Sequence, residues 1–289
     1  MNEIRFALSS DESFNSVAFD RLLAGIARRS PALDRDLVID LGRARFIDPY
    51  GTVCLVMLAR ALHSPARQVA YVLPNDDAAQ RFLTAMGATE QIAQYGQLRN
   101  LTRLHGTTRS DFSGLGLTAI QASTDVNAVI GRFFSLARGE LGYGPGDLAD
   151  SAKIVSELCN NIKDHSQDWG LATVQLYRDR SGRRFVSIGV ADLGVGIRHS
   201  LSQHRPDVAG WPHQQAIEQA LSGLSSRPAG GGLGLSSVRE IVRRCTGHLA
   251  VRSGDAKVQV TAGKTTKALH VAHFAGTQVG LSFSQLINA

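Results

Sequence analysis

A polar stretch from Gln97 to Gly116, carrying Arg99, Arg103, His105, Thr107 and Ser110, separates two different rhythms of apolar residues. Each rhythm admits few folds. Before the stretch, Ile4–Leu8 alternates as a strand, Phe14–Arg28 carries Val17, Leu22, Leu23 and Ile26 at helical spacing, and Leu37–Leu41 is a short buried strand. Arg45–Gly51 then leads into an apolar helix from Thr52 to Leu62, a strand at Val69–Leu73, and a helix at Ala78–Met86 that Gly87 would cap. This alternation predicts a helix-backed α/β domain over residues 1–96. After the stretch come a strand (Leu117–Gln121), two long helices (Asp125–Leu141 and Asp147–Ser166) and two strands (Ala172–Arg178 and Arg184–Ala191). A long irregular segment with a helix near Gln214–Leu224 follows, then a glycine run, a helix (Leu235–Cys245) and a strand-rich end reaching Gln285. Helices bunched first and strands last predict an α+β two-layer sandwich over residues 117–289, one mixed sheet covered by helices on one face. Residues 97–116 are expected to be a linker.

The chain has 289 residues, 43% of them hydrophobic, which suffices for two such cores. A net charge of +6 with no long single-sign block argues against a nucleic-acid surface. No stretch approaches the roughly 18 apolar residues of a membrane span, and no basic segment followed by an apolar run opens the chain. Cys54, Cys159 and Cys245 lie far apart in apolar stretches without metal-ligand spacing, so reduced core thiols and a cytoplasmic location are expected.

Three islands carry candidate chemistry. In Ser156–Ser166, the residues Glu157, Asn161 and His165 share one helical face while Ile154, Val155, Leu158 and Ile162 cover the other. An amide oxygen is a hard ligand for Mg²⁺, and a carboxylate one turn away can accept a proton from a nucleophile. An ordinary amphipathic helix with a polar face has the same pattern. The second island, Val190–Ile197, ends an apolar strand with Asp192, Gly194 and Gly196. Alternate glycines let backbone lie against a ligand, and a buried aspartate wants a donor such as an exocyclic amine. A glycine turn capped by an aspartate is the plainer alternative. In the third island, Gly230, Gly231, Gly232, Leu233, Gly234 and Leu235 precede a helix, whose free N–H groups suit a phosphate; a flexible loop feeding a helix is the plainer alternative. The dinucleotide fingerprint needs a strand before the glycines, and Ser225–Ala229 reads as a loop, which excludes it.

In this order and at these separations, the islands resemble the N, G1 and G2 boxes of the GHKL ATPase superfamily of gyrase, Hsp90, histidine kinases and MutL. Gly276 and Thr277 before Val279–Phe283 resemble its closing strand. The resemblance implies the Bergerat ATP-binding fold with ATP and Mg²⁺ as cofactors. Asn161 would hold the Mg²⁺ and Glu157 would be the catalytic base. Asp192 would read the adenine amine, Gly194 and Gly196 would form the floor beneath it, and Thr277 would support it from the sheet. Gly230, Gly232, Leu233, Gly234 and Leu235 would wrap the phosphates. Arg198–Ala229 would be a mobile lid, in which Ser226, Arg227 and Pro228 are similar to a lid piece of the anti-sigma-factor serine kinases, so that Arg227 either reaches a terminal phosphate or is a solvated loop arginine. His165 completes the Glu-x3-Asn-x3-His form of that branch. Asp164 stands where histidine kinases often carry lysine, and no dimerisation hairpin with a phosphoacceptor histidine precedes the islands.

In the first ninety-six residues, Leu37–Leu41, Ala44–Gly51 and Arg81–Ala88 resemble the STAS domain of anti-sigma-factor antagonists. Those antagonists have a phosphorylatable Ser or Thr before the glycine, where this chain has Tyr50. The domain is therefore expected to sense or dock rather than relay phosphate. The resemblance as a whole implies a cytoplasmic ATP-binding regulator that phosphorylates Ser or Thr on a protein partner, such as a sigma factor or an antagonist, with room for a homodimer. The alternative is a nucleotide-gated protein-binding module, or an ATPase without kinase activity; both need the same pocket.

Overall fold

Short strands separated by helices pair in parallel when the intervening helices return the chain to the end where the previous strand began. The computed structural model has this arrangement in its first unit. It describes residues 3–8, 13–29, 35–102, 113–141, 145–178, 182, 184–225, 234–244, 247–261 and 267–284. Two units divide the chain, residues 1–112 and 113–289.

The first unit contains β1 (Ile4–Ala7), β2 (Ser13–Phe14), α1 (Ser16–Arg28), β3 (Leu37–Asp40), β4 (Phe46–Ile47), α2 (Pro49–Leu62), β5 (Val69–Val72), α3 (Asp77–Ala85), α4 (Ala88–Ala93) and β6 (Gln97–Arg99). The strand order is β1-β3-β5-β6, parallel throughout, and β2 pairs with β4 alongside. Side-chain caps start the helices. Asn15 Oδ1 accepts from the N–H groups of Val17 and Ala18 at 2.9 and 3.2 Å, and Asp76 Oδ1 from that of Ala79 at 2.9 Å. Asp48 Oδ1 accepts from Gly51 N at 2.6 Å, so α2 begins at Pro49 rather than Thr52. Gly87, with φ +79, ends α3 as its sequence suggests, but it also opens the short helix α4. The stretch expected to be linker from residue 97 begins instead with β6, which completes the sheet beside β5.

The second unit contains β7 (Gly114–Ile120), α5 (Ser123–Leu136), a π-helical turn (Ala137–Leu141), α6 (Pro145–His165), β8 (Gly170–Arg178), β9 (Arg184–Asp192) and α7 (Gly196–Ser202). A 3-10 turn (Pro206–Gly210), α8 (His213–Leu221), α9 (Gly234–Arg244), β10 (His248–Thr261) and β11 (Lys267–Ser284) follow. The sheet order is β10-β11-β9-β8-β7, and every neighbouring pair is antiparallel. The expectation of a mixed sheet is corrected here. Helices α5 and α6 carry the chain from β7 to β8, which pair antiparallel, and β8–β9 and β10–β11 are sequential neighbours that pair the same way. Val129 and Phe133 of α5, Ile154, Leu158 and Ile162 of α6, and Val238 and Val242 of α9 pack with the sheet residues Val186, Ile188, Val251 and Leu281 in one core. Cys54 and Cys159 are free and buried, and burial raises the Cys159 thiol to about 12; Cys245 lies outside the described residues. Among the described residues, no helix is long and apolar enough to cross a membrane.

Candidate functional site

Helix α6 is amphipathic in the sense its sequence implies: Ile154, Val155, Leu158 and Ile162 are buried in the core, and the opposite face carries the polar residues. Asn161 and His165 line a cavity of about 860 Å³, counting its open mouth. Glu157 is 8% exposed and faces the start of α9, where its Oε2 accepts from Gly234 N at 3.2 Å. A carboxylate at a helix N-terminus is favoured by the amide dipoles there. Glu157 is not part of the cavity wall itself.

Asp192 ends β9, paired with Gly170 of β8, and is 4% exposed. Burial raises its carboxyl from 3.8 to about 7. The N–H groups of Gly194 and Thr277 and the Ser166 hydroxyl work the other way by bonding to the carboxylate, and Asp168 nearby adds to the rise. The bond from Gly194 N to Oδ1 is 2.8 Å. Glycine is required around this carboxylate for steric reasons. A Cβ on Gly194 would overlap the Ser166 carbonyl, and one on Gly276, whose φ is +74, would run into the Asp192 carbonyl and stand 2.7 Å from Oδ1. Gly196, with φ +75, turns the chain into α7, whose second residue donates from Ile197 N to Ser253 Oγ at 3.0 Å.

Seven of the residues singled out in the sequence, Asn161, His165, Asp192, Gly196, Gly234, Leu235 and Thr277, line this one cavity. Gly194 holds Asp192 from behind, and Glu157 stands one hydrogen bond from Gly234. Arg227, Gly230, Gly232 and Leu233 lie outside the described residues. The segment expected to be a lid contains α7, the 3-10 turn and α8 as far as it is described. Leu201, Val208, Ala216 and Ala220 form a small apolar cluster, while Ile217 and Leu221 of α8 are buried in the main core. His213, at the start of α8, is tied to β10 by its Nδ1, 2.7 Å from Asp255 Oδ1. Sequence reasoning missed Ser166, buried at the end of α6, whose carbonyl accepts from Val195 N at 2.9 Å. It also missed Gln278, which donates to the Asp192 carbonyl at 3.1 Å. Ser166 closes the first island and Gln278 follows Thr277, and only those positions could have marked them.

An acid at a strand end, an amide one helix away and a helix N-terminus converging on one cavity define a class of nucleotide-binding domain. Residues 146–283 match the family model of histidine kinase-, DNA gyrase B-, and HSP90-like ATPases, so this segment is a GHKL-type domain, which implies ATP binding. No curated protein matches the chain. Among solved structures, the crystal structure of the SiaB-SiaC complex from Pseudomonas aeruginosa is similar at 16% identity, covering 61% of this chain and 92% of that one with a TM-score of 0.30.

Proposed function

We propose that this chain is a cytoplasmic regulator that binds Mg·ATP in its second unit and phosphorylates Ser or Thr on a protein partner. The observation that carries the reading is the convergence of Asp192, Asn161 and the Gly234 end of α9 on one cavity within a GHKL-type domain. In this reading the Asp192 carboxylate accepts from the adenine amine, with Gly194, Gly196 and Thr277 shaping the floor around the base. His165 and Leu235 line the same space, and the N–H groups at the start of α9 face the phosphates. Asn161 would hold Mg²⁺ through its amide oxygen. Among the described residues, no group of three His, Cys, Asp or Glu side chains could hold a metal alone. That fits an ion shared with the nucleotide's phosphates, the usual arrangement for Mg²⁺ at such sites. The ion would supply charge neutralisation on the phosphate chain. Glu157 would take the proton of the attacking hydroxyl.

The first unit, with its parallel sheet and the Asp48-capped helix α2, is read as a STAS-like docking or sensing module. Tyr50 is 3% exposed and Thr52 fully buried, with Thr52 Oγ1 donating to Asp48 O at 2.9 Å. That burial favours docking over a phosphate relay. A second reading, a nucleotide-gated binding module without turnover, is favoured by one observation: Glu157 is engaged with Gly234 N rather than lining the cavity. Incubation with γ-labelled ATP and candidate partner proteins separates the readings. Label on a partner supports the kinase, free phosphate an ATPase, and saturable binding with neither supports the module.

A further inference from the structure

Strand β11 does not pair evenly with β10. Ser253 lies opposite Thr277, Gly254 opposite Phe274 and Ala256 opposite His270, with register shifts on both sides of Gly254. The longer strand therefore bulges between His270 and Thr277, and a bulge leaves carbonyls that the ladder cannot satisfy. Side chains take them. Arg252 Nη2 donates to Ala272 O, Gln278 Nε2 to Ala275 O at 2.7 Å, and the Ser253 hydroxyl to Gly276 O at 2.9 Å.

Arg252 and Gln278 are both fully buried. Arg252 Nη1 lies 3.5 Å from Gln278 Oε1 and 3.4 Å from Gly254 O, and the guanidinium sits 5.7 Å from the centre of the Phe274 ring. Gln278 then reaches across to β9, where Nε2 also donates to the Asp192 carbonyl at 3.1 Å. The bulge ends at Gly276 and Thr277, and the Thr277 N–H holds the Asp192 carboxylate. One buried chain of bonds thus runs from the Arg252 guanidinium through Gln278 to the backbone of Asp192.

We infer that Arg252 and Gln278 are positioning residues for recognition of the base: together they fix the β11 bulge and the Asp192 backbone behind the adenine pocket. The inference rests on the proposal that Asp192 reads the adenine amine. Arg252 is not part of the cavity wall, so its action is through Gln278 and the bulge. Arginine suits the place because its planar fork serves several carbonyl acceptors at fixed angles while the ring stacks below. A lysine ammonium is a point charge without that fork.

The test compares ADP and GDP, each with Mg²⁺, by calorimetry on the full chain as wild type, Arg252→Lys and Gln278→Met. Wild type should prefer ADP. Both variants should lose about tenfold in ADP affinity, the scale of one misaligned hydrogen bond to a charged acceptor. Their GDP affinity should stay within about twofold, because GDP lacks the amine that Asp192 reads. The base preference then collapses. A role in stability alone would weaken both nucleotides equally or neither, and either result overturns the inference. Wild type that binds no ADP overturns the reading of the pocket instead. Gln278→Met, which keeps the guanidinium, decides the matter if Arg252→Lys melts before it can be titrated.

Discussion

Raising the pH from about 6 to about 8 should strengthen ADP binding by about tenfold, through the protonation of one buried acid. Asp192 is 4% exposed, and burial carries its carboxyl to about 7. In the proposed role the ligand selects the carboxylate, because a donated amine hydrogen bond stabilises the charged form. With a free-site value near 7, roughly one Asp192 in ten is ionised at about pH 6 and nine in ten at about pH 8. The difference is about 1.4 kcal/mol of binding. The measurement is calorimetric titration with Mg·ADP at several pH values, with Asp192→Asn as the reference. His165 in the same cavity, Asp168 nearby and the ligand's phosphates all remain in that variant, so the ratio of the two affinities isolates Asp192. A ratio flat to within about twofold across the window, or one rising toward acid, would refute the reasoning. Without ligand the same burial works against the fold. The native chain keeps the Asp192 proton up to about 7, whereas 3.8 is the value of the free carboxyl. The stability from this group is therefore fully present below about 3.8 and is lost as pH rises toward 7.

Glu157→Ala should abolish phosphate transfer or release while leaving ADP affinity within a few-fold, since a proton acceptor acts chiefly in the transition state; equal losses of affinity in this variant and in Asp192→Asn, followed by calorimetry, would dissolve the division of roles. Gly276→Ala should lower the melting temperature by several degrees, reflecting roughly 1–2 kcal/mol for a side chain forced into the left-handed region. It should also weaken ADP binding, because its Cβ meets Asp192; thermal unfolding and titration of the same sample check both. Full-length protein incubated with Mg·ATP should gain no phosphate on residues 48–52, given how deeply Tyr50 and Thr52 are buried; stoichiometric phosphate there by mass spectrometry would restore a relay.

How much of this was legible depended on whether a residue's job was local. Glu157, Asn161 and His165 could be placed together because helical spacing alone sets their face, and Asp192 because it ends an apolar strand. The short elements α4 and β6 were hidden: Gly87 reads as a stop, and Gln97–Arg99 is too brief and polar to show a period. Helix α7 was hidden for a related reason, since Gly194 and Gly196 look like a turn, and only in three dimensions does the second glycine start a helix. The direction of the sheet strands was hidden because nothing in the residues of β7 or β11 says which strand each will lie beside. Arg252 was invisible because an arginine in a strand pattern reads as a solvated face. Its acceptors, the carbonyls of Ala272 and Gly254, exist only after β11 has bulged.

The packing of the segment from α7 to α8 also bears on how firmly it is held. Leu201, Val208, Ala216 and Ala220 bury one another in a small cluster, but Ile217 and Leu221 of the same helix α8 are buried in the main core with Val251 and Val258 of the sheet. A helix that shares both clusters cannot leave without exposing apolar surface beside the sheet. Two polar ties add to that packing, Ile197 N to Ser253 Oγ and His213 to Asp255. The amides of α8 are therefore expected to exchange together with those of the core strands, not as a separate and weaker unit.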